Sequence, residues 1–108
     1  AREFNKAIEV IDILAPLTGE GKLYIQKAML LNENGDWKGV QDATAKALTD
    51  EELENPGDVY ILRGMAETEL GNYDEAIESF SQAMEIGTET NKKNAEAWID
   101  YVADRRGS

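Results

Sequence analysis

The chain has 108 residues, and 42% of them are hydrophobic, which is enough for one domain with a core of its own. It carries 22 acidic and 11 basic residues, and its net charge of −11 would repel nucleic acids and anionic membranes. Cys and His are absent, which excludes disulfides, thiolate catalysis, and the commonest general base and metal ligand. We therefore expect no nucleic-acid partner, no cofactor, no metal and no enzymatic activity.

The first predicted helix covers residues 2–15 and is apolar around most of its circumference. Its apolar residues are Phe4, Ala7, Ile8, Val10, Ile11, Ile13 and Leu14. A helix of this kind is normally buried on more than one side. We therefore expect self-association of the chain through residues 1–15.

A helix pair is predicted next, over residues 21–48. Gly35 suits the end of its first helix, and Asp36 suits the cap of its second helix. A polar connection is predicted over 49–57, where Asn55-Pro56-Gly57 is a turn signal that prevents helix continuation.

A second helix pair is predicted over residues 57–87. Gly71 suits the end of its first helix, and Asn72 with Glu75 three residues later matches a capping box at the start of its second. Residues 87–93 are predicted to be a polar connection.

The last predicted helix covers residues 94–106. Its inward-facing residues are expected to be Trp98, Tyr101 and Val102. The residues expected to face water are Asp100, Asp104, Arg105 and Arg106.

An aromatic residue followed three or four positions later by a small residue recurs about every 35 residues. Two such series are present, offset from each other along the chain, which indicates a repeat made of two helices. Residues 57–87 resemble a tetratricopeptide repeat (TPR) at Tyr60, Gly64, Gly71, Tyr73, Ala76, Phe80 and Ala83. Residues 21–48 match this family more loosely, at Tyr24, Ala28, Gly35, Trp37 and Ala47. We interpret these residues as core, and we expect Gly64 to lie opposite Ala76 where two helices nearly touch.

The resemblance implies an all-α fold, a TPR-type α-solenoid of antiparallel helix pairs, with two full repeats and half a repeat at each end. The whole of residues 1–108 is then a single TPR domain. Residues 2–15 correspond to the second helix of a repeat whose first helix is absent, and residues 94–106 correspond to a terminal capping helix.

The second half of the chain, which ends in AEAWIDYVADRR, is also similar to the C-terminal repeats of bacterial envelope proteins associated with TonB-type systems. This finer resemblance implies a bacterial protein. No apolar run approaches the ~20 residues that cross a bilayer. We therefore expect a soluble protein without direct membrane insertion, and both the cytoplasm and the bacterial periplasm remain open as its compartment.

In the TPR family the first helix of each repeat lines a concave groove. The matching residues here are Lys22, Ile25, Gln26, Met29, Asn32, Glu33, Asp58, Ile61, Met65, Thr68, Glu69 and Ile99. Apolar residues stand where some members of the family hold a peptide carboxylate with polar side chains. The resemblance therefore implies a scaffold that binds an amphipathic helix or an extended apolar segment of a protein partner.

Other interpretations stay open. The same residues would be covered if neighbouring repeats packed on them, and the chain would then be a structural spacer or self-association unit of a longer solenoid. A carboxylate-based enzyme is a remote alternative. The acidic run from Asp50 to Asp58 is either a docking surface for a basic partner or a solvated face, and solvated faces are the commoner case.

Overall fold

The computed structural model describes residues 2–107, apart from the side chain of Arg2. Helices are the only regular elements in this range. They are α1 (Arg2–Thr18), α2 (Gly21–Glu33), α3 (Trp37–Ala47), α4 (Pro56–Glu69), α5 (Tyr73–Ile86) and α6 (Glu89–Gly107). The helices fall into two compact units, the first ending at Leu53 and the second beginning at Glu54. The first unit contains α1 to α3, and the second contains α4 to α6.

The helix α1 is longer than the predicted 2–15 and continues through Pro16 to Thr18. Pro16 has no N–H to donate to the carbonyl four residues earlier, and the helix ends two residues after it. The helix then ends at Gly19, which has a φ of +69°, and the Gly19 amide donates to the Ala15 carbonyl at 2.9 Å.

The prediction of a connection over 87–93 is wrong, since α6 begins at Glu89 instead of residue 94. The Thr88 hydroxyl accepts from the Asn91 amide at 3.1 Å, and the Asn91 side-chain oxygen accepts from the Thr88 amide at 3.0 Å. This reciprocal pair satisfies amides that a helix start would otherwise leave without partners. The other predicted connection, 49–57, ends early because Pro56 occupies the first turn of α4.

In the first unit, α2 and α3 form the predicted helix pair. Gly35 adopts a φ of +74°, and the Asp36 carboxylate accepts from the Gly39 amide at 2.9 Å, which confirms the predicted stop and cap. The buried residues of this pair include Ala28, Leu31, Val40, Ala43, Thr44 and Ala47. The Thr44 hydroxyl is satisfied locally, because it donates to the Val40 carbonyl at 2.8 Å.

The start of α2 is capped from a distant part of the chain. Glu20, the residue before the helix, makes no side-chain capping bond, but the Asp50 carboxylate accepts from the Gly21 amide at 2.8 Å. The Glu52 amide also donates to this carboxylate, at 3.0 Å. These two backbone donors, that of Gly21 first, lower the pKa of Asp50 below its ordinary value of 3.8.

In the second unit, Phe80 lies at the centre of a core shared by α4, α5 and α6. Its ring is fully buried and stacks on Trp98 with the ring centroids 5.5 Å apart. A Cβ atom added at Gly64 would lie 2.6–2.9 Å from three atoms of the Phe80 ring. The predicted close approach at Gly64 is therefore present, with the Phe80 ring as its nearest neighbour, and Ala76 is fully buried in the same core.

The junction between α4 and α5 differs from its prediction at one residue. Gly71 adopts a φ of +79°, as a left-handed helix stop requires. Asn72, however, makes no side-chain capping bond, so the half of the predicted capping box that Asn72 would supply is absent. The Asn72 amide instead donates backward to the Glu67 carbonyl at 2.9 Å, which holds the turn closed.

Fewer residues of α6 face the core than the sequence predicts. Val102 is fully buried and Trp98 is half-buried, but Tyr101 is 47% exposed. The Tyr101 ring packs edge-on against Trp98, and its hydroxyl accepts from Arg105 at 3.1 Å. Arg106 donates to the Asp74 carboxylate at 2.6 Å and so ties the end of α6 to the start of α5.

Replacement of Gly64 by leucine is expected to destabilise the second unit by about 1–3 kcal/mol, since the buried Phe80 ring has no room to move aside. Gly107→Leu is the control, because a Cβ at Gly107 meets nothing within 4 Å. Urea denaturation followed by circular dichroism measures both variants. An unchanged midpoint for Gly64→Leu would show that α4 and α5 do not meet at this residue.

Because the cap at the start of α2 uses the Asp50 carboxylate, the stability of the folded chain should depend on pH. A carboxyl whose pKa is lowered on folding stabilises the protein above its unfolded pKa, and this stabilisation is lost as the pH falls through the lower, folded value. We therefore expect Asp50→Asn to lower stability at pH 7 and to approach the wild type below pH 3.8. Glu51→Gln, the same charge change on the exposed neighbouring residue, is the control for thermal melts across this range. Equal effects of the two variants at pH 7 would contradict the cap.

Candidate partner-binding surface

The predicted groove residues of the first unit all lie on α2. Met29 is 57% exposed, and Ile25, one turn earlier on the same side of the helix, is half-buried. Their polar neighbours Lys22, Gln26 and Glu33 are exposed, and Asn32 is half-buried. This part of α2 therefore presents a small apolar surface, which we call the α2 patch (Ile25 and Met29), with polar side chains around it.

In the second unit three of the predicted apolar residues border the same core. Ile61 and Met65 from α4 and Ile99 from α6 are half-buried and pack against one core cluster, which contains Phe80, Ala95 and Val102. Their partial burial leaves a portion of each side chain at the surface. We call them the α4–α6 patch (Ile61, Met65 and Ile99).

The remaining predicted residues of the second unit have different surroundings. Thr68 is buried, and its hydroxyl donates to the Gly64 carbonyl at 2.8 Å, so it offers little to a partner. The Asp58 carboxylate accepts from the side-chain amides of Asn91 at 2.7 Å and Asn55 at 2.9 Å. Asp58 therefore joins the start of α4 to the start of α6, while Glu69 is exposed.

Sequence analysis missed a buried carboxylate in the second unit. Glu67 was not among the residues singled out from the sequence, yet it is only 1% exposed. It accepts from the Ser79 hydroxyl at 2.5 Å and lies 3.5 Å from the Arg63 guanidinium. The helical spacing of Tyr60, Gly64 and Glu67 was the available signal, since it places Glu67 on the same side of α4 as Gly64.

Glu67 borders a cleft of about 390 Å³ between α4 and α5. The lining residues are Tyr60, Arg63, Glu67, Glu75, Glu78, Ser79 and Gln82. An activated serine needs a neighbouring base that takes its proton. Glu67 is instead ion-paired with Arg63, which favours a structural role for the carboxylate.

Residues 2–107 contain no group of three or more acidic side chains placed to hold a metal ion. Within the same residues, every helix is too short or too polar to cross a membrane.

Comparison with known proteins supports the repeat predicted in the second half of the chain. Residues 57–88 match the family model of the tetratricopeptide repeat. The solved structure of the Arabidopsis OM64 TPR domain is similar to this chain with a TM-score of 0.74 and 24% sequence identity, and the match covers 94% of this chain and 81% of that one. The fold is that of a TPR domain. No curated protein matches the chain.

The predicted fold class, all-α with helix pairs of the TPR type, is thereby confirmed. The matched residues 57–88 also coincide closely with the predicted repeat over 57–87. Similarity to bacterial envelope proteins associated with TonB-type systems stays a prediction, as does a bacterial origin.

The buried hydrogen bond of Glu67 gives a stability prediction. Ser79→Ala is expected to cost about 1.5–3 kcal/mol, the usual contribution of a hydrogen bond to a charged group. Ser81→Ala, an exposed serine on the same helix, should change stability by much less. Equilibrium denaturation of the two variants makes the comparison, and equal effects would contradict a specific role for the Ser79 hydroxyl.

Proposed function

We propose that this chain is a non-enzymatic scaffold that binds a helix or peptide of a protein partner along the concave groove of its TPR fold. The exposure of Met29 is the observation that carries the proposal. The flexible thioether side chain of Met29 is exposed to solvent on α2, and α2 corresponds to a groove-lining helix of the family. Exposed methionines adapt their shape to apolar partners at low cost.

The α4–α6 patch supports the same proposal independently of the α2 patch. Ile61, Met65 and Ile99 come from two helices and pack against one core cluster, so the helices that carry them are already ordered before a partner binds. Prior ordering reduces the entropy that binding would otherwise cost. We make the proposal for each patch separately.

The chemistry of the partner follows from the groove residues around these patches. Glu33 follows the α2 patch and Glu69 follows Met65, and both carboxylates are exposed. The chain as a whole has a net charge of −11. An amphipathic helix with apolar residues on one side and basic residues beside them therefore fits better than an acidic one.

Two alternatives make different predictions. A structural spacer would leave both patches without a peptide ligand. A carboxylate enzyme would need a substrate site with a free acid and base, whereas Glu67 is ion-paired with Arg63. The similarity to bacterial envelope proteins, if carried over, would locate the partner in the bacterial envelope.

Binding through the α2 patch predicts the effect of Met29→Glu. A synthetic amphipathic peptide of leucine and lysine serves as the probe, and a shuffled peptide of the same composition without a continuous apolar side is its control. We expect the wild-type chain to bind the amphipathic peptide more tightly, and Met29→Glu to weaken that binding at least about tenfold, because a carboxylate would have to be buried. Isothermal titration calorimetry measures both affinities.

Ile86→Glu is the matched control, since Ile86 is an exposed residue of α5 outside the predicted groove. It adds the same negative charge and should leave peptide binding nearly unchanged. Circular dichroism verifies that both variants keep their helicity. Equal binding of the amphipathic and shuffled peptides, or equal loss in both variants, would contradict the proposal.

A further inference from the structure

The turn between α2 and α3 contains the one asparagine of this chain that is followed by glycine, Asn34. Asn34 is exposed, and within residues 2–107 its side chain makes no hydrogen bond. Gly35 is exposed as well, and a Cβ atom built on it would have only the Trp37 ring near it, at 4.0 Å. The Asn34 side chain is therefore free to rotate toward the peptide nitrogen that follows it.

We propose that Asn34 is a site of spontaneous deamidation. The Gly35 nitrogen attacks the Cγ atom of Asn34, and the new C–N bond closes a five-membered succinimide. The side-chain nitrogen of Asn34 leaves as ammonia, which carries away the Gly35 amide proton. Water then opens one of the two C–N bonds of the ring, so the product is either aspartate or isoaspartate and carries one additional negative charge. Glycine favours the first step because it has no side chain to obstruct its nitrogen.

The turn has to open before the ring can close. Asn34 has a ψ of −1°, so the Gly35 nitrogen eclipses the Asn34 backbone nitrogen and points away from the side chain. The Gly35 amide also donates to the Asn32 carbonyl at 3.2 Å, which is at the long end of the usual range for such bonds. Local opening costs least at exposed helix ends of this kind. The reaction therefore proceeds from an opened turn, and it is slower in the folded chain than in the unfolded chain.

The other asparagines of the chain lack at least one of these conditions. Four lie within helices, where intrahelical hydrogen bonds hold the peptide nitrogens, namely Asn5, Asn32, Asn91 and Asn94. Asn55 precedes Pro56, whose nitrogen has no proton to release. Asn72 is exposed in the corresponding turn between α4 and α5, but the side chain of Tyr73 follows it. We therefore expect Asn34 to react first.

The product weakens the turn in which it forms. Asn34 is the C-cap residue of α2, where the helix dipole disfavours a negative charge, and Glu33 and Asp36 already stand close by in sequence. Isoaspartate also lengthens the backbone by one methylene, which disturbs the bond of 2.9 Å from the Asp36 amide to the Leu31 carbonyl. Deamidation therefore loosens the link between α2 and α3. Asn34 belongs to neither the α2 patch nor the α4–α6 patch, so this inference does not rest on the proposed function.

Peptide mapping of the whole folded chain tests the site. The chain is incubated for several weeks at mildly alkaline pH, digested with trypsin and measured by mass spectrometry. We expect a gain of about 1 Da, the exchange of an amide for a carboxyl group, to appear at Asn34 before any other asparagine. Asn72 is the internal control, and Asn34→Gln, whose longer side chain closes a ring much less readily, should lack the early gain. An earlier gain at Asn72, or no gain at Asn34, would overturn the proposal.

The identity of the products and the effect of unfolding test the mechanism. A succinimide opens at either carbonyl, so isoaspartate has to accompany aspartate, whereas direct hydrolysis of the side-chain amide yields aspartate alone. Electron-transfer fragmentation of the tryptic peptide over residues 28–38 distinguishes the two products. The conversion should be several-fold faster in guanidinium chloride, where the turn is open. Aspartate alone, or equal rates in the folded and unfolded chain, would overturn ring closure from an opened turn.

The variant Asn34→Asp tests the consequence for the first unit, because it carries the charge of the aspartate product from the start. We expect its midpoint of urea denaturation to lie below that of the wild type. Asn94→Asp is the control, since it makes the same charge change at an exposed residue within α6. Equal midpoints of the two variants would overturn the weakening of the turn.

Discussion

The fold of the second unit depends on the space that Gly64 leaves for the Phe80 ring. A side chain at residue 64 would overlap this ring, and one face of the ring stacks on Trp98 of α6. One aromatic side chain therefore sets the separation of three helices. The most specific part of the repeat signature is an aromatic residue facing a glycine. This pair determines how closely α4 and α5 approach each other.

This packing also determines what remains for function. Ile61, Met65 and Ile99 pack against the core cluster that contains Phe80, and each is left partly at the surface. The same division of roles applies in the first unit at Met29. A fixed backbone thus supports side chains that adapt, which is the arrangement that recognition of an apolar peptide requires.

Much of the fold could be predicted from the sequence because its signals are local. Gly35 and Gly71 end helices, Asp36 caps one, and helical spacing marks the core. The features that could not be predicted from the sequence depend on contacts between distant residues or on burial in the folded structure. The Asp50 cap reaches back 29 residues to Gly21, and the burial of Glu67 depends on Ser79 from another helix. The candidate site was less predictable: spacing marked Ile61 and Met65, but could not separate them from Thr68, which is buried.

The three methionines of the chain provide the most direct test of the central claim, that the patches on α2 and α4–α6 bind an apolar helix. Met29 and Met65 belong to these patches, whereas Met84 lies on α5, outside them, and is half-buried against the core as Met65 is. NMR spectra of ¹³C-methyl methionine are recorded while the amphipathic leucine–lysine peptide is added. The account predicts saturable shifts of the Met29 and Met65 methyl signals with Met84 nearly unchanged. Shifts at Met84 alone, or no saturable shift at any methionine, would contradict it.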